Sequence, residues 1–464
     1  MSRAILASII VLLLLSISSI AGLIQVVKAD GGTIYINADG SITPSTAPIH
    51  SIDNTYTLTG NITIAGNDGI VIERDNIVLD GAGYTVATGS LGGNGTALTN
   101  TNNVTIRNMT VINFTNGIWI SYSSDNVLSG NNVANNYNGI MLVNSSNSNL
   151  YQNSATNGLY GISLYNSPDN TVSENTVTAS TDMGIYLESS NNNVLSGNNA
   201  TNSGYGIMLY NSADNTLLGN NASANNQYGI SVGIYLDSAS YSTLSGNNVK
   251  ANNEYGIHLV SSSNCTLSGN NVASNPYGIY LDSSSDNNVL SGNDLLNNRY
   301  GIGLTSYSDN NALSGNNVTA NNVYGIVLSN SSNNSIFHNN FVNNTNQVLT
   351  DGFANIWNNG SMGNYWGDYL ATYPNATQVD SSGVWNTPYV IDANNTDYYP
   401  LTVQYAIPEF PSFLTLSLFF MATLPGVIIY KKKDASGQRK TLGLQKDRRV
   451  SMRRLISRYW ASAP

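Results

Sequence analysis

Charge is what this sequence has least of. Only 9% of its 464 residues are Asp, Glu, Lys or Arg, and solubility falls to 73 asparagines, with serine, threonine and glycine close behind. Cysteine occurs once, at Cys265, which excludes an intramolecular disulfide framework. Histidine occurs three times, at His50, His258 and His338, too scattered for the His, Cys or Met cluster that a copper site needs. Bases nearly vanish between Asp30 and Pro411, where Arg74, Arg107, Lys250 and Arg299 stand against 25 acids. So acidic a body argues against nucleic acid as a partner. The last 34 residues, from Lys431, reverse the balance with 11 of the 17 bases against two acids. Opposite sides of a membrane produce such segregation.

What the body does have is a repeat. Gly-Ile followed one residue later by an apolar side chain returns ten times from Gly117 to Gly325, at steps of 22, 22, 23, 22, 23, 27, 22, 23 and 24 residues. The 27-residue step contains a four-residue duplication, Gly229-Ile230 followed by Gly233-Ile234. The copies align approximately as Y-G-I-x-L-x-x-S-x-x-N-x-L-S-G-N-N-V-x-x-N-N. Apolar positions alternate in short runs broken by Ser, Asn, Asp and Gly, which is strand periodicity interrupted by turns, with no helical period. The expectation is a parallel β-helix, an all-β solenoid of roughly 22-residue coils, about 14 in all, stacked about 4.8 Å apart. A leucine-rich repeat of similar period needs more leucines and a helical return segment. Pairs such as Ile140 and Leu142, Ile162 and Leu164, or Ile279 and Leu281 are expected to point inward. The glycine before each Ile suits a bend, and Asn131, Asn198, Asn247, Asn270 and Asn316 are placed for amide ladders.

Two apolar segments bracket the body. Ala4 to about Ile24, after Met1-Ser2-Arg3 and before the small residues Val27-Lys28-Ala29, reads as a secretory signal, or as an uncleaved N-terminal anchor. Pro411 to Tyr430 carries no charge and meets Lys431-Lys432-Lys433, as a transmembrane helix with a cytoplasmic basic end does. The organisation expected is a signal at 1–29, coils over 30–345, an aromatic-rich cap over 346–405, the Pro-Glu-Phe motif and membrane helix over 406–430, and a basic tail over 431–464 that lies on the inner leaflet.

Three stretches resemble one family. Ile72-Glu73-Arg74-Asp75-Asn76-Ile77-Val78-Leu79-Asp80-Gly81-Ala82-Gly83-Tyr84 is similar to the opening coils of the right-handed parallel β-helix proteins grouped with NosD and with the carbohydrate-binding and sugar-hydrolysis (CASH) domain. The repeat is the second. The third runs through Ile336-Phe337-His338-Asn339-Asn340-Phe341, Trp357, Gly363 to Tyr369, Thr387-Pro388-Tyr389-Val390-Ile391 and Asp397 to Leu401, and resembles the closing segment of archaeal members. The resemblance implies a right-handed coil; its members include copper-site accessory proteins, sugar-processing enzymes and surface proteins, so function needs its own argument. Separately, Pro408-Glu409-Phe410, an apolar helix and a basic cluster resemble the PEF-CTERM sorting signal of archaeal surface proteins, which implies an archaeosortase-like processing partner. The 34-residue tail is long for such a signal, so retained and processed anchors both stay open.

Candidate sites follow from the register. The outward position between Ile and Leu holds Trp119, Met141, Ser163, Tyr186, Met208, Tyr235, His258 and Tyr280, and the next outward position adds Tyr165 and Tyr210. Stacked coils align these into a stripe whose rings suit sugar faces, although tyrosine is also common on plain exposed strands. Glu188, Asp237 and Asp282, each after Leu, are the catalytic candidates, because a glycosidase needs two carboxylates within about 5–10 Å; the alternative is that they are solubilising turn residues. The scarcity of bases counts against a lyase. Calcium would need clustered oxygens, and the run from Ala371 to Asn386 offers only Asp380. No cofactor is expected. Sixteen N-x-S/T sequons, including Asn103, Asn108, Asn113, Asn264 and Asn375, are about what the asparagine content produces by chance, though occupancy as a glycoprotein fits an exported chain. The reading is a membrane-anchored cell-surface β-helix with a structural or carbohydrate-binding role, partnered by an extracellular glycan or envelope component. Alternatives are a polysaccharide-active enzyme of the same fold and, behind it, a copper-binding accessory protein.

Overall fold

A computed structural model describes residues 32–226 and 231–407. The N-terminal apolar run, the Gly229-Ile230 half of the duplication, Pro408-Glu409-Phe410, the 411–430 segment and the basic tail lie outside the described residues. Among the described residues no helix is long and apolar enough to cross a membrane.

The body is a parallel β-helix of about 13 turns. Its opening residues are spent on two antiparallel hairpins, Ile34–Ile36 with Ile42–Thr43 and Ile49–Ile52 with Thr55–Leu58, which leaves slightly fewer turns than the spacing alone suggests. A representative coil has three strands, Asn116–Ser121, Val127–Ser129 and Asn132–Ala134. Like strands stack into three sheets of 15, 14 and 14 strands. The first, built from the six-residue strands, is called the long-strand sheet below.

The expected core pairs lie in one register. Ile118 pairs with Ile140, Ile140 with Ile162 and Ile162 with Ile185, while Ile120, Leu142, Leu164 and Leu187 form the next column. Every one of these side chains is fully buried, and each contributes roughly 1.5–3 kcal/mol only because the coils above and below complete its surroundings.

The glycine before each Ile has a different job from the one expected. It lies inside the long strand, and a Cβ on Gly117 would stand 2.6 Å from the Gly139 carbonyl oxygen, as one on Gly161 would from that of Gly184. Space between coils requires it. The bend needing a permissive backbone is in Ser-Gly-Asn, where Gly130, Gly197, Gly246, Gly269, Gly292 and Gly315 all take φ near +60°.

Four buried polar ladders run along the interior, passing through Ser145, Asn170, Asn175 and Asn225. The most regular passes from Asn131 through Asn153, Asn175, Asn198, Asn220, Asn247, Asn270, Asn293, Asn316 and Asn339 to Asn364. At each step a side-chain amide donates to the next Oδ1 at 2.8–3.0 Å. It ends at Asp397, whose Oδ2 accepts the Asn364 N–H at 2.8 Å and the Trp366 indole at 2.9 Å. Burial pushes the Asp397 carboxyl up to about 6 despite these donors. Phe341, Trp366 and Tyr389 stack over the last coil, and Trp357 is buried beside them. These rings close the core where the strands run out.

Candidate functional site

On the outer face of the long-strand sheet, strand register creates three columns. The column between Ile and Leu runs Trp119, Met141, Ser163, Tyr186, Met208, Tyr235, His258, Tyr280 and Gly303. The column after Leu runs Tyr165, Glu188, Tyr210, Asp237, Val260 and Asp282. Glu188, Asp237 and Asp282 therefore stand two coils apart, about 10 Å at ordinary strand spacing.

The third column lies one residue before the glycine, and its grouping was missed from sequence because the recurrent Tyr-Gly reads as part of a bend. It holds Tyr160, Tyr205, Tyr255, Tyr277, Tyr300 and Tyr324. Tyr255, Tyr277, Tyr300 and Tyr324 stack successively with centroids 4.9, 5.0 and 6.3 Å apart. Their faces are largely spent on one another, so edges and hydroxyls face outward. The middle column is arranged differently. Tyr186 packs against Tyr160 and Tyr165 beside Ser163, which is buried. The ring of Tyr280 leans over Gly303, occupying the space any side chain there would need. Large-over-small pairing lays these two rings along the sheet. Trp119 stands two coils before Ser163, apart from the main ring cluster.

The carboxylates are tied to the rings. The Tyr186 hydroxyl donates to Glu188 at 2.9 Å, and Tyr235 reaches Asp237 at 3.5 Å. Thr305 donates to Asp282 at 3.0 Å. Burial alone would raise Asp282, but hydrogen bonds from Ser306, Thr305 and the Ser283 N–H outweigh it and hold the carboxyl below the usual range. Burial, aided by nearby carboxylates, raises the phenols of Tyr165 and Tyr235 to about 12 and lifts Tyr186 and Tyr255 as well. These phenols stay protonated at neutral pH and act as donors, not bases.

His258 sits amid Tyr235, Tyr255 and Tyr280, stacked on Tyr255 at 4.1 Å. Burial pushes its imidazole down to about 4, and its Nε2 is buried without a hydrogen-bond partner.

A parallel β-helix with an aromatic, carboxylate-edged outer face is the class that fold and surface define. The family model described as periplasmic copper-binding protein (NosD) matches residues 61–232 and again 231–371. The chain belongs to this family. Among curated proteins no sequence match is found. Among solved structures, the A-module of the Azotobacter vinelandii mannuronan C-5 epimerase AlgE6 is similar at 15% identity and TM-score 0.48, over 64% of this chain and 89% of that one. The periplasmic alginate epimerase AlgG is similar at 15% identity and TM-score 0.43, over 69% and 81%. The alginate lyase AlyF-OU02 is similar at 11% identity and TM-score 0.41, over 73% and 85%. Likeness at this level says nothing of what this chain acts on.

The family description raises copper, and the described residues do not fit it. The column neighbours of His258 are Tyr235 and Tyr280. Cys265 is buried, its thiol pushed up to about 11 by that burial, with Sγ directed at the carbonyls of Ala239 and Ser263. His338 stacks on Tyr405 near the cap, and His50 lies in the opening hairpin. Among the described residues no three His, Cys, Asp or Glu side chains gather as a metal site. No chemistry is derived through copper.

Proposed function

We propose that this chain is a surface-displayed β-helix protein that holds an extended glycan along the aromatic face of its long-strand sheet, in an adhesive or structural role. The observation that carries this reading is the run of rings from Tyr160 to Tyr324. Each of the eight consecutive strands starting at Tyr160, Met183, Tyr205, Val232, Tyr255, Tyr277, Tyr300 and Tyr324 contributes at least one ring to it. Coils about 4.8 Å apart keep step with the residues of an extended β-linked sugar chain, so at least one ring edge or face meets each sugar and the carboxylates of the column after Leu meet every second one. Tyr280, laid over Gly303, supplies the flattest contact, and the buried Tyr186 props Tyr160 and Tyr165 from beneath.

The alternative is a polysaccharide-active enzyme using Glu188, Asp237 and Asp282. Its general acid would need a carboxyl raised toward neutrality, and Asp282 is shifted the other way. The protonated phenols likewise supply no base. Binding is the better account of the same residues.

The acidic body, the basic tail and the two apolar segments support export, anchoring through residues 411–430, and processing at Pro408-Glu409-Phe410 by an archaeosortase-like enzyme. The binding claim is tested by replacing Tyr186, Tyr235 and Tyr280 together with Ala in the full chain and measuring retention on a glycan array. Retention is expected to be lost. Undiminished retention by a folded variant would remove the aromatic face from the function.

A further inference from the structure

The aromatic face carries a charge pattern that neither its fold nor its family assigns. Five half-buried carboxylates border the rings: Asp182 and Glu254 beside the pre-glycine tyrosines, and Glu188, Asp237 and Asp282 in the column after Leu. All five act on the ring phenols, Asp182 on Tyr160 and Tyr205, Glu254 on Tyr255, Glu188 on Tyr165 and Tyr186, and Asp237 and Asp282 on Tyr235. Among the described residues one Lys or Arg borders these rings, Arg299, whose guanidinium lies 5.3 Å from the Tyr300 ring centroid, beyond the last carboxylate of the row. The salt bridge found among the described residues joins Arg107 to Asp80, on a different sheet.

From this we propose that the ligand of the aromatic face is a glycan bearing free amino groups, an amino-sugar polymer with ammonium groups on at least every second residue. The proposal rests on the glycan-binding reading and specifies its substrate class. Its basis is charge complementarity combined with spacing. A half-buried carboxylate beside an aromatic ring offers an ammonium group a counter-charge and a negative ring surface at once, the two features that select cations at aromatic sites. Glu188, Asp237 and Asp282 recur every second coil, so a chain advancing one sugar per coil presents every other residue to a carboxylate. The same row repels a uronate chain, whose carboxylates would lie against it without basic residues to offset them. A neutral glycan can use the hydroxyls and rings but brings the carboxylates no counter-charge. The other cationic polymer that could answer this pattern is a basic peptide, but side chains of an extended peptide on one face recur at about 6.6–7 Å, out of step with the coils.

The test is calorimetric titration of the full-length chain with four probes at low and high salt: a glucosamine hexamer, an N-acetylglucosamine hexamer, a galacturonate hexamer and oligolysine of equal charge. The glucosamine hexamer should bind at least about tenfold more tightly than its acetylated form, with the difference shrinking at high salt. The galacturonate should bind least. The combined variant Glu188→Gln, Asp237→Asn and Asp282→Asn should erase the preference for the glucosamine hexamer over the acetylated one. Equal or better binding of the acetylated or uronate hexamer would overturn the amino-sugar assignment and leave the glycan reading standing. Tighter binding of oligolysine would overturn it in favour of a basic peptide. Binding of no hexamer at all, by a chain with its native thermal transition, would bring down both.

Discussion

Replacing Asn247 with Ala should cut the rod's stability at one identifiable place. The Asn247 Oδ1 accepts the backbone N–H of Asn220 at 2.9 Å and its side-chain amide at 3.0 Å. Its own amide donates to the Leu217 carbonyl at 3.0 Å and to Asn270 Oδ1 at 2.9 Å. Alanine removes all four while leaving the Asn247 N–H bonded to Asn270. The Asn220 side chain keeps the Leu195 carbonyl, but its buried N–H loses its partner. One orphaned buried donor costs about 1–3 kcal/mol and each of the three further lost bonds about 1 kcal/mol, so the expected loss is about 4–6 kcal/mol. Because a solenoid is held by nearest-neighbour contacts, the loss should stay local. Hydrogen exchange should show faster opening in the coils spanning roughly Asn220 to Asn270 and little change near Ile140 or Ile326. Denaturant unfolding should register the same free energy. A loss under about 1 kcal/mol, or exchange that quickens equally from end to end, would refute the claim that the amide ladder is a chain of individually necessary bonds.

Three further outcomes follow from named contacts. Burial pushes the Asp397 carboxyl up to about 6 in the folded protein against the ordinary 3.8 of an aspartate, so between these values the native state holds a proton that the unfolded chain has already released. Its contribution is therefore complete below about pH 3.8 and is lost as pH rises through 6, by about 3 kcal/mol in total; thermal unfolding of the wild type relative to Asp397→Asn from pH 4 to 7 should show this slope, and parallel curves would contradict it. Gly303→Ala should force the Tyr280 ring off its seat, costing about 1–3 kcal/mol in denaturant unfolding and weakening glycan retention; an unchanged midpoint and unchanged retention would mean the ring is free to rest elsewhere. Titration of the full chain with copper(II) should show no stoichiometric uptake at micromolar concentration, and tight uptake would show that the donor set has been misjudged.

Most of the fold was legible because the repeat reports it many times over. Each Gly-Ile phrase fixes a register, so the partners of Tyr186, Tyr235 and His258 could be named from spacing. What spacing could not supply was the direction of a ring or the reason for a glycine. Tyr255, Tyr277 and Tyr300 spend their faces on one another, while Tyr280 lies along the sheet because the next coil offers Gly303. Both are tyrosines on an outer strand position, and only the neighbouring coil distinguishes them. The glycine column misled for a related reason: a residue free of steric demand suits a bend or a crowded strand equally well in a linear reading, and only the proximity of the next coil's carbonyl separates the two.

The cap exposes a rule that no single repeat contains. In the Asn131 to Asn364 ladder each backbone N–H donates to the Oδ1 of the next coil's Asn, while the side-chain amides also turn back to carbonyls of the coil before, so the last backbone N–H, on Asn364, needs an acceptor beyond the repeats and suits a group that accepts without donating. A carboxylate is the side chain that does so, and Asp397 stands there. The parallel ladder that reaches Asn355 obeys the same logic: Asn355 and Trp357 donate to Asn395, and Asn395 in turn donates to Asp392. The acids of the closing segment thus belong to the interior's hydrogen-bond direction, whereas those of the long-strand sheet belong to its surface. That separation is why the amino-sugar proposal rests on Glu188, Asp237 and Asp282, and not on Asp392 or Asp397.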